Sequence, residues 1–140
     1  MQMFPKLVLF YRNSFIITGT SVFLILLISS LSGYVFARMK FPGRDIIFWA
    51  VVISMFLPKS MSIPGLYEVL QKMDLLDTTT ALTLAYTGWF LSLSVYIMRS
   101  AFSSIPKDIE DSAVVDGCSP LRLYWQIMMP LVSPSLVTVA

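Results

Sequence analysis

The 140 residues include one cysteine, Cys118, and no histidine. A Ser/His or Cys/His nucleophilic pair therefore cannot be assembled, nor can a His/Cys metal cluster or a disulfide within the chain. No acidic residue falls within the long uncharged runs, so a membrane-embedded carboxylate pair for general acid–base chemistry is also missing. The phosphate-cradling pattern Gly-x-x-x-x-Gly-Lys-Ser/Thr does not occur, and ATP binding by such a loop is not expected. With no base beside it, Cys118 reads as a small, unreactive side chain. These absences point away from an enzyme, a cofactor site and a metal site, and leave contact chemistry. That chemistry is densest in one stretch, where Asp108, Glu110, Asp111 and Asp116 precede Gly117, and Leu121, Tyr124, Trp125 and Met128 follow it.

The signals around this stretch predict two short helices joined by a bend. Ser104 is placed to cap a helix opened by Pro106, with Asp108 near the positive end of its dipole, and Gly117 ends it. Ser119 is the N-cap and Pro120 the first residue of a second helix that runs to Pro130. On that helix Leu121, Tyr124, Trp125 and Met128 stand at i, i+3, i+4 and i+7, forming one apolar and aromatic face that needs a partner. The four acids outnumber Lys107 and Arg122, which disfavours an anionic lipid surface and favours docking against a protein.

The elements that carry this segment belong in lipid. Apolar residues make up 56% of the chain and charged residues 13%, against about 25% charged in soluble proteins. Uncharged runs extend over 13–37, 78–98 and 123–140. About 20 apolar helical residues cross a bilayer, which predicts an all-α membrane protein, a polytopic helical bundle with spans over about 14–36, 46–63 and 78–98. A fourth span starts near 131 and is cut off at Ala140, so the bundle reads as incomplete at that end. The second span is expected to kink or end near Pro58, with Pro64 closing it, and a short surface helix is expected over 65–77.

Cations set the orientation. Arg38, Lys40, Arg44, Arg99, Lys107 and Arg122 fall on one side, and Lys6, Arg12, Lys59 and Lys72 on the other, so the six-against-four bias places the former in the cytoplasm. An N-terminus outside then calls for a span upstream of this sequence. Small residues at Ser29, Gly33 and Ala37, and at Ala81, Ala85, Gly88 and Ser92, give stripes on which helices can approach closely. Lys59 is expected to snorkel at the outer end of a span, and Tyr86, Trp89 and Tyr96 to pack or anchor at an interface. The formal net charge of +2 is too balanced and scattered for a nucleic-acid surface.

The stretch from Glu110 to Pro130 resembles the Glu-Ala-Ala loop of bacterial ABC importer permeases. That pattern reads Glu-Ala-Ala, three positions, Gly, nine positions, Ile, one position, Leu-Pro. Ala113, Gly117, Ile127 and Pro130 match in register, while Asp111 stands for Glu, Ser112 for Ala and Met129 for Leu. The segments 34–44, 63–67 and 99–106 are similar to carbohydrate-uptake permeases of the maltose and glycerol-phosphate kind.

The resemblance implies a partial permease transmembrane domain over 13–140 in the bacterial plasma (inner) membrane, with a coupling loop over about 104–130. Glu110, Asp111, Ser112, Ala113, Asp116, Gly117, Ile127 and Pro130 would form the loop that a cytoplasmic ABC ATPase subunit seats, with Trp125 and its apolar neighbours supplying contact area. It further implies a second permease subunit, an extracytoplasmic solute-binding protein and surrounding lipid as partners, and a sugar or sugar-like solute as cargo. A permease for another solute class and a non-transporting membrane scaffold are the competing expectations.

Overall fold

The computed structural model describes the backbone over Met3–Ala140 and side chains from Val8 onward, so the cation at Lys6 lies outside the described side chains. Every regular element among the described residues is helical. Helix α1 spans Met3–Arg38, α2 Arg44–Ser54, α3 Lys59–Lys72 and α4 Thr79–Ser104. Two of these, Val8–Arg38 within α1 and all of α4, are long and apolar enough to cross a membrane. Only 22% and 33% of their apolar windows are buried within the chain, so most of that surface must be covered by lipid or further protein. The result is an all-α membrane protein.

Helices α1 and α4 pack side by side and run in the same direction. Thr20 Oγ1, midway along α1, lies 3.2 Å from Thr83 Oγ1 near the start of α4, and Arg38 at the end of α1 reaches the Phe102 carbonyl near the end of α4. The contact line on α1 is Ser21, Ile25, Ser29 and Gly33, all buried at i+4 spacing. Gly33 is where the backbones come closest. A Cβ built there would stand 2.6 Å from Met98 Cβ and 2.9 Å from Arg99 N. On α4, Ala81 and Ala85 are buried, but Gly88 is exposed, and a Cβ built there would meet nothing within 4 Å. Ser92 turns away to bond Ser54 at 2.7 Å. The expected second stripe therefore divides, its later half, Gly88 and Ser92, facing α2 and α3.

Helix α4 runs past the expected end at Met98. Arg99 stays within it because its guanidinium lies over the Phe48 ring, 3.7 Å from the centroid, and reaches Asp45 at 3.7 Å. At the start, Thr78 caps the helix by accepting from Ala81 N. At the end, Ile105 is extended before Pro106, as the residue preceding a proline tends to be.

The expected span over 46–63 is not one rod. Gly43, at φ +81°, turns the chain into α2, which runs antiparallel to α4 from the Asp45–Arg99 contact to the Ser54–Ser92 contact. The chain then breaks over 55–58, and α3 departs at 102°. The kink near Pro58 is present, but Pro64 does not close a helix. It sits inside α3, where it removes one intrahelical hydrogen bond without ending the element, and the expected separate helix over 65–77 is the second half of α3.

Beyond α4, helix α5 (Lys107–Val115) is followed by a continuous helical stretch over 120–131 and by α8 (Ser133–Val139). That stretch consists of α6 (Pro120–Arg122), a π-helical turn (Leu123–Met128) and α7 (Met129–Leu131). Pro130 has no N–H to offer Gln126, and the wider turn just before it relieves the clash a proline ring makes with the carbonyl four residues back. The main core lies here, under the ends of α1 and α4. Met98, Phe102, Ala113, Leu123, Tyr124, Met128 and Val132 are buried together, with Tyr34 and Ala37 against them. Withdrawing each of the large side chains from water contributes roughly 1.5–3 kcal/mol.

Candidate functional site: the bent helix pair at the ends of α1 and α4

The bend is built by Gly117. At φ +77° it closes α5 with two backbone bonds, Cys118 N to Ala113 O at 2.9 Å and Gly117 N to Val114 O at 3.0 Å. This is the paired-bond glycine stop, in which the left-handed residue lets the chain reverse while satisfying the last carbonyls. Ser119 then caps the next helix, accepting from Arg122 N at 3.4 Å, and Pro120 occupies its first position. Ser104 behaves otherwise than expected. It is the last residue of α4, and its hydroxyl donates back to Ala101 O at 2.8 Å. Pro106 takes the capping position of α5 without a side-chain bond.

The loop is fastened to the spans by an arginine that counted in the sequence only as a loop cation. Arg38, at the end of α1, donates from Nη2 to Phe102 O at 2.8 Å and Ile105 O at 2.6 Å. These carbonyls belong to the last turn of α4 and the residue after it, where a cation is favoured. Its Nε faces Glu110 Oε2 at 3.5 Å, an ion-pair contact that lacks the alignment of a hydrogen bond. The Arg38 side chain is 5% exposed and that of Glu110 24%. One guanidinium thus joins α1, α4 and α5. An isolated arginine ending a long apolar helix is the signal that could have found it.

A second fastening is aromatic. Tyr124 donates to Ser30 Oγ at 2.9 Å and packs edge-on against Tyr34, which packs edge-on against Phe102. Burial raises the Tyr124 phenol above its ordinary pKa, with the Ser30 bond opposing, so at neutral pH it is a proton donor.

The expected four-residue face is divided by this arrangement. Tyr124 and Met128 are buried at 4% and 0%, whereas Leu121 and Trp125 are exposed at 75% and 54%. The π-helical turn begins after Leu121 and takes in Tyr124, Trp125 and Met128, altering the angular register that an α-helix assumes. Half of the face holds the loop to the spans, and half points away from them.

The remaining candidates sort in the same way. Ala113 is buried, Ile127 is half-buried, and Asp111, Ser112, Asp116, Gly117 and Pro130 are exposed. Ser112 donates to Asp108 O within α5. Ser112, Ala113 and Asp116 from the α5 side and Arg122, Gln126 and Ile127 from the 120–131 stretch line an open cleft of about 530 Å³. Next to the cleft, Val114 and Val115 are exposed at 58% and 86%. These two valines belong to the outward surface although no periodicity singled them out.

Bilayer-length apolar helices bearing a bent helix pair on their ends define a polytopic all-α membrane protein. The chain belongs to the family described as binding-protein-dependent transport system inner membrane component, which its residues 9–140 match, a family of transport components rather than enzymes. A putative ABC transporter permease of Caldicellulosiruptor sp. (strain Rt8B.4) is 35% identical over 130 residues, covering 93% of this chain and 47% of that protein. The trehalose/maltose transport system permease protein MalG of Thermococcus litoralis is 34% identical over 132 residues, 94% of this chain and 47% of its own length. The diacetylchitobiose uptake system permease protein NgcG of Streptomyces coelicolor is 31% identical over 131 residues, 94% and 43%. The chain thus spans about half the length of the curated relatives it matches.

Proposed function

We propose that this chain is part of the permease subunit of an ATP-driven importer for sugars or sugar-like solutes, and that residues 104–130 are its coupling loop. The loop faces the cytoplasm and is seated by an ABC ATPase subunit, and the spans pair with those of a second permease subunit in the plasma membrane. An extracytoplasmic solute-binding protein delivers the cargo. The names of the trehalose/maltose and diacetylchitobiose permeases support the solute class.

One observation carries the coupling role: the loop is two-sided. Its inner side is bonded to α1 and α4 through Arg38, Glu110, Tyr124 and Ser30. Its outer side offers Asp111, Val114, Val115, Leu121 and Trp125 beside an open cleft. Apolar residues exposed at a polar end, next to acidic ones, suit a protein partner. A push on the outer side is passed to α1 through Glu110 and Tyr124, and to α4 through Arg38, which holds the Phe102 carbonyl as well as facing Glu110. A full-length subunit reconstituted with its ATPase and binding protein should hydrolyse ATP faster when the binding protein is loaded, and should accumulate maltose or diacetylchitobiose. A complex that binds no ATPase, or whose ATPase ignores the binding protein, is incompatible with this function.

A further inference from the structure

Lys59 does not lie at the outer end of a span. Its ammonium stands 3.9 Å from the centre of the Phe90 ring and 6.0 Å from that of Trp89. Phe90 is near the middle of α4, roughly 17 Å from one end and 21 Å from the other at about 1.5 Å per residue. A cation at that depth does not face lipid; it faces protein or a water-filled path. Among the described residues no carboxylate pairs with it.

The backbone around Lys59 carries the same message. The chain is broken over 55–58, level with the middle of α4, since Ser54 bonds Ser92 just before the break and Ser62 accepts from Trp89 Nε1 at 3.3 Å just after it. Irregular backbone at membrane depth is tolerated where it lines a cavity or is covered by protein, and interrupted helices at mid-depth are where transporters hold solutes. A cavity of about 170 Å³ occupies the bend, lined by Ser54, Leu57, Lys59, Ser62, Trp89 and Ser92. It is smaller than the ~300–1,000 Å³ of a complete ligand pocket, so other segments must complete it.

We infer that this bend is a solute-contacting subsite for a polyhydroxylated molecule. The Lys59 ammonium donates to its oxygens, Ser54 and Ser62, whose own protons go to Val51 O and Lys59 O, accept from its hydroxyls, and Trp89 offers an apolar ring for the carbon face of a sugar. The inference rests on the importer reading and adds the place and chemistry of contact.

The test uses the full transporter in liposomes, with Cys118→Ser removing the native thiol. Ser62→Cys is exposed to a membrane-impermeant thiol reagent, with and without vanadate trapping of the ATPase. Lys59→Met and Lys59→Arg are assayed for uptake of radiolabelled maltose. We expect Ser62→Cys to be labelled in one nucleotide state and protected in the other. Lys59→Met should raise the KM for maltose roughly tenfold or more, Lys59→Arg should raise it less, and both should keep vanadate-trapped assembly with the ATPase. Absence of labelling in both states, or maltose uptake by Lys59→Met equal to that of the parent, overturns the subsite. Failure of the parent complex itself to take up maltose overturns the sugar assignment beneath it, a failure visible before any variant is compared.

Discussion

Arg38 and Glu110, 72 positions apart in sequence, meet at 3.5 Å where α1 ends and α5 begins. The same guanidinium holds the last turn of α4 through two carbonyls, so three helices share one fastening. Removing Arg38 leaves Glu110 without its counter-charge and those carbonyls without their donor, and replacing Glu110 leaves a buried cation facing a neutral group. We expect Arg38→Met to destabilise the full-length chain in detergent by about 3–5 kcal/mol, the cost of breaking a buried ion pair. For Glu110→Gln we expect about 1–3 kcal/mol. Denaturant titration should show the double variant losing less than the sum of the two, since both act on one contact.

Gly33 and Met98 set the approach of the two spans. A Cβ at Gly33 meets Met98 Cβ and the backbone nitrogen of Arg99, and neither can rotate aside. Gly33→Ala should therefore cost about 1–3 kcal/mol through overpacking. Trimming the neighbour with Met98→Ala should not restore it, because alanine keeps the clashing Cβ. Unfolding midpoints of the single and double variants decide this.

Gly117 has open space around it and a positive φ, so its requirement is one of backbone conformation alone. Gly117→Asn, which tolerates the left-handed region, should keep most binding-protein-stimulated ATPase activity and uptake. Gly117→Val should cost about 1–2 kcal/mol locally and uncouple the two activities. Equal performance by the two variants contradicts this account of the bend.

Tyr124 and Trp125 are neighbours in the chain, one buried and one exposed. Tyr124→Ala should lower stability by about 3–5 kcal/mol, as removal of a buried aromatic does. Trp125→Ala should leave the unfolding midpoint nearly unchanged and weaken association with the ATPase subunit, by tenfold or more if Trp125 is an anchor of about 2 kcal/mol or more. Thermal unfolding and a pull-down titration on the same pair of variants separate the two roles.

Much of this was legible in the residues. Ser119–Pro120 before the 120–131 stretch and Gly117 at the bend are local signals, and each is satisfied by bonds within a few residues. What sequence reading missed depends on residues far apart. That the helix continues beyond Met98 could not be seen without Phe48 and Asp45, which shelter Arg99. The division of Leu121 and Trp125 from Tyr124 and Met128 depends on a π-helical turn, which the 3.6-residue period does not anticipate. Lys59 looked terminal because Pro58 and Pro64 suggested an end. Only the 102° break beside α4 reveals its depth. Ser104, a good capping residue by type, was claimed by the longer helix before it.

Whether the outward side of the loop meets an ATP-hydrolysing partner is decided most directly by crosslinking from Val115. In a full transporter carrying Cys118→Ser and Val115→Cys, a short bifunctional thiol reagent added from the cytoplasmic side should yield an adduct with the ATPase subunit, and the linked complex should lose maltose uptake. Modification of Val115→Cys only from the opposite side of the membrane, with no ATPase adduct in any nucleotide state, would contradict the coupling role.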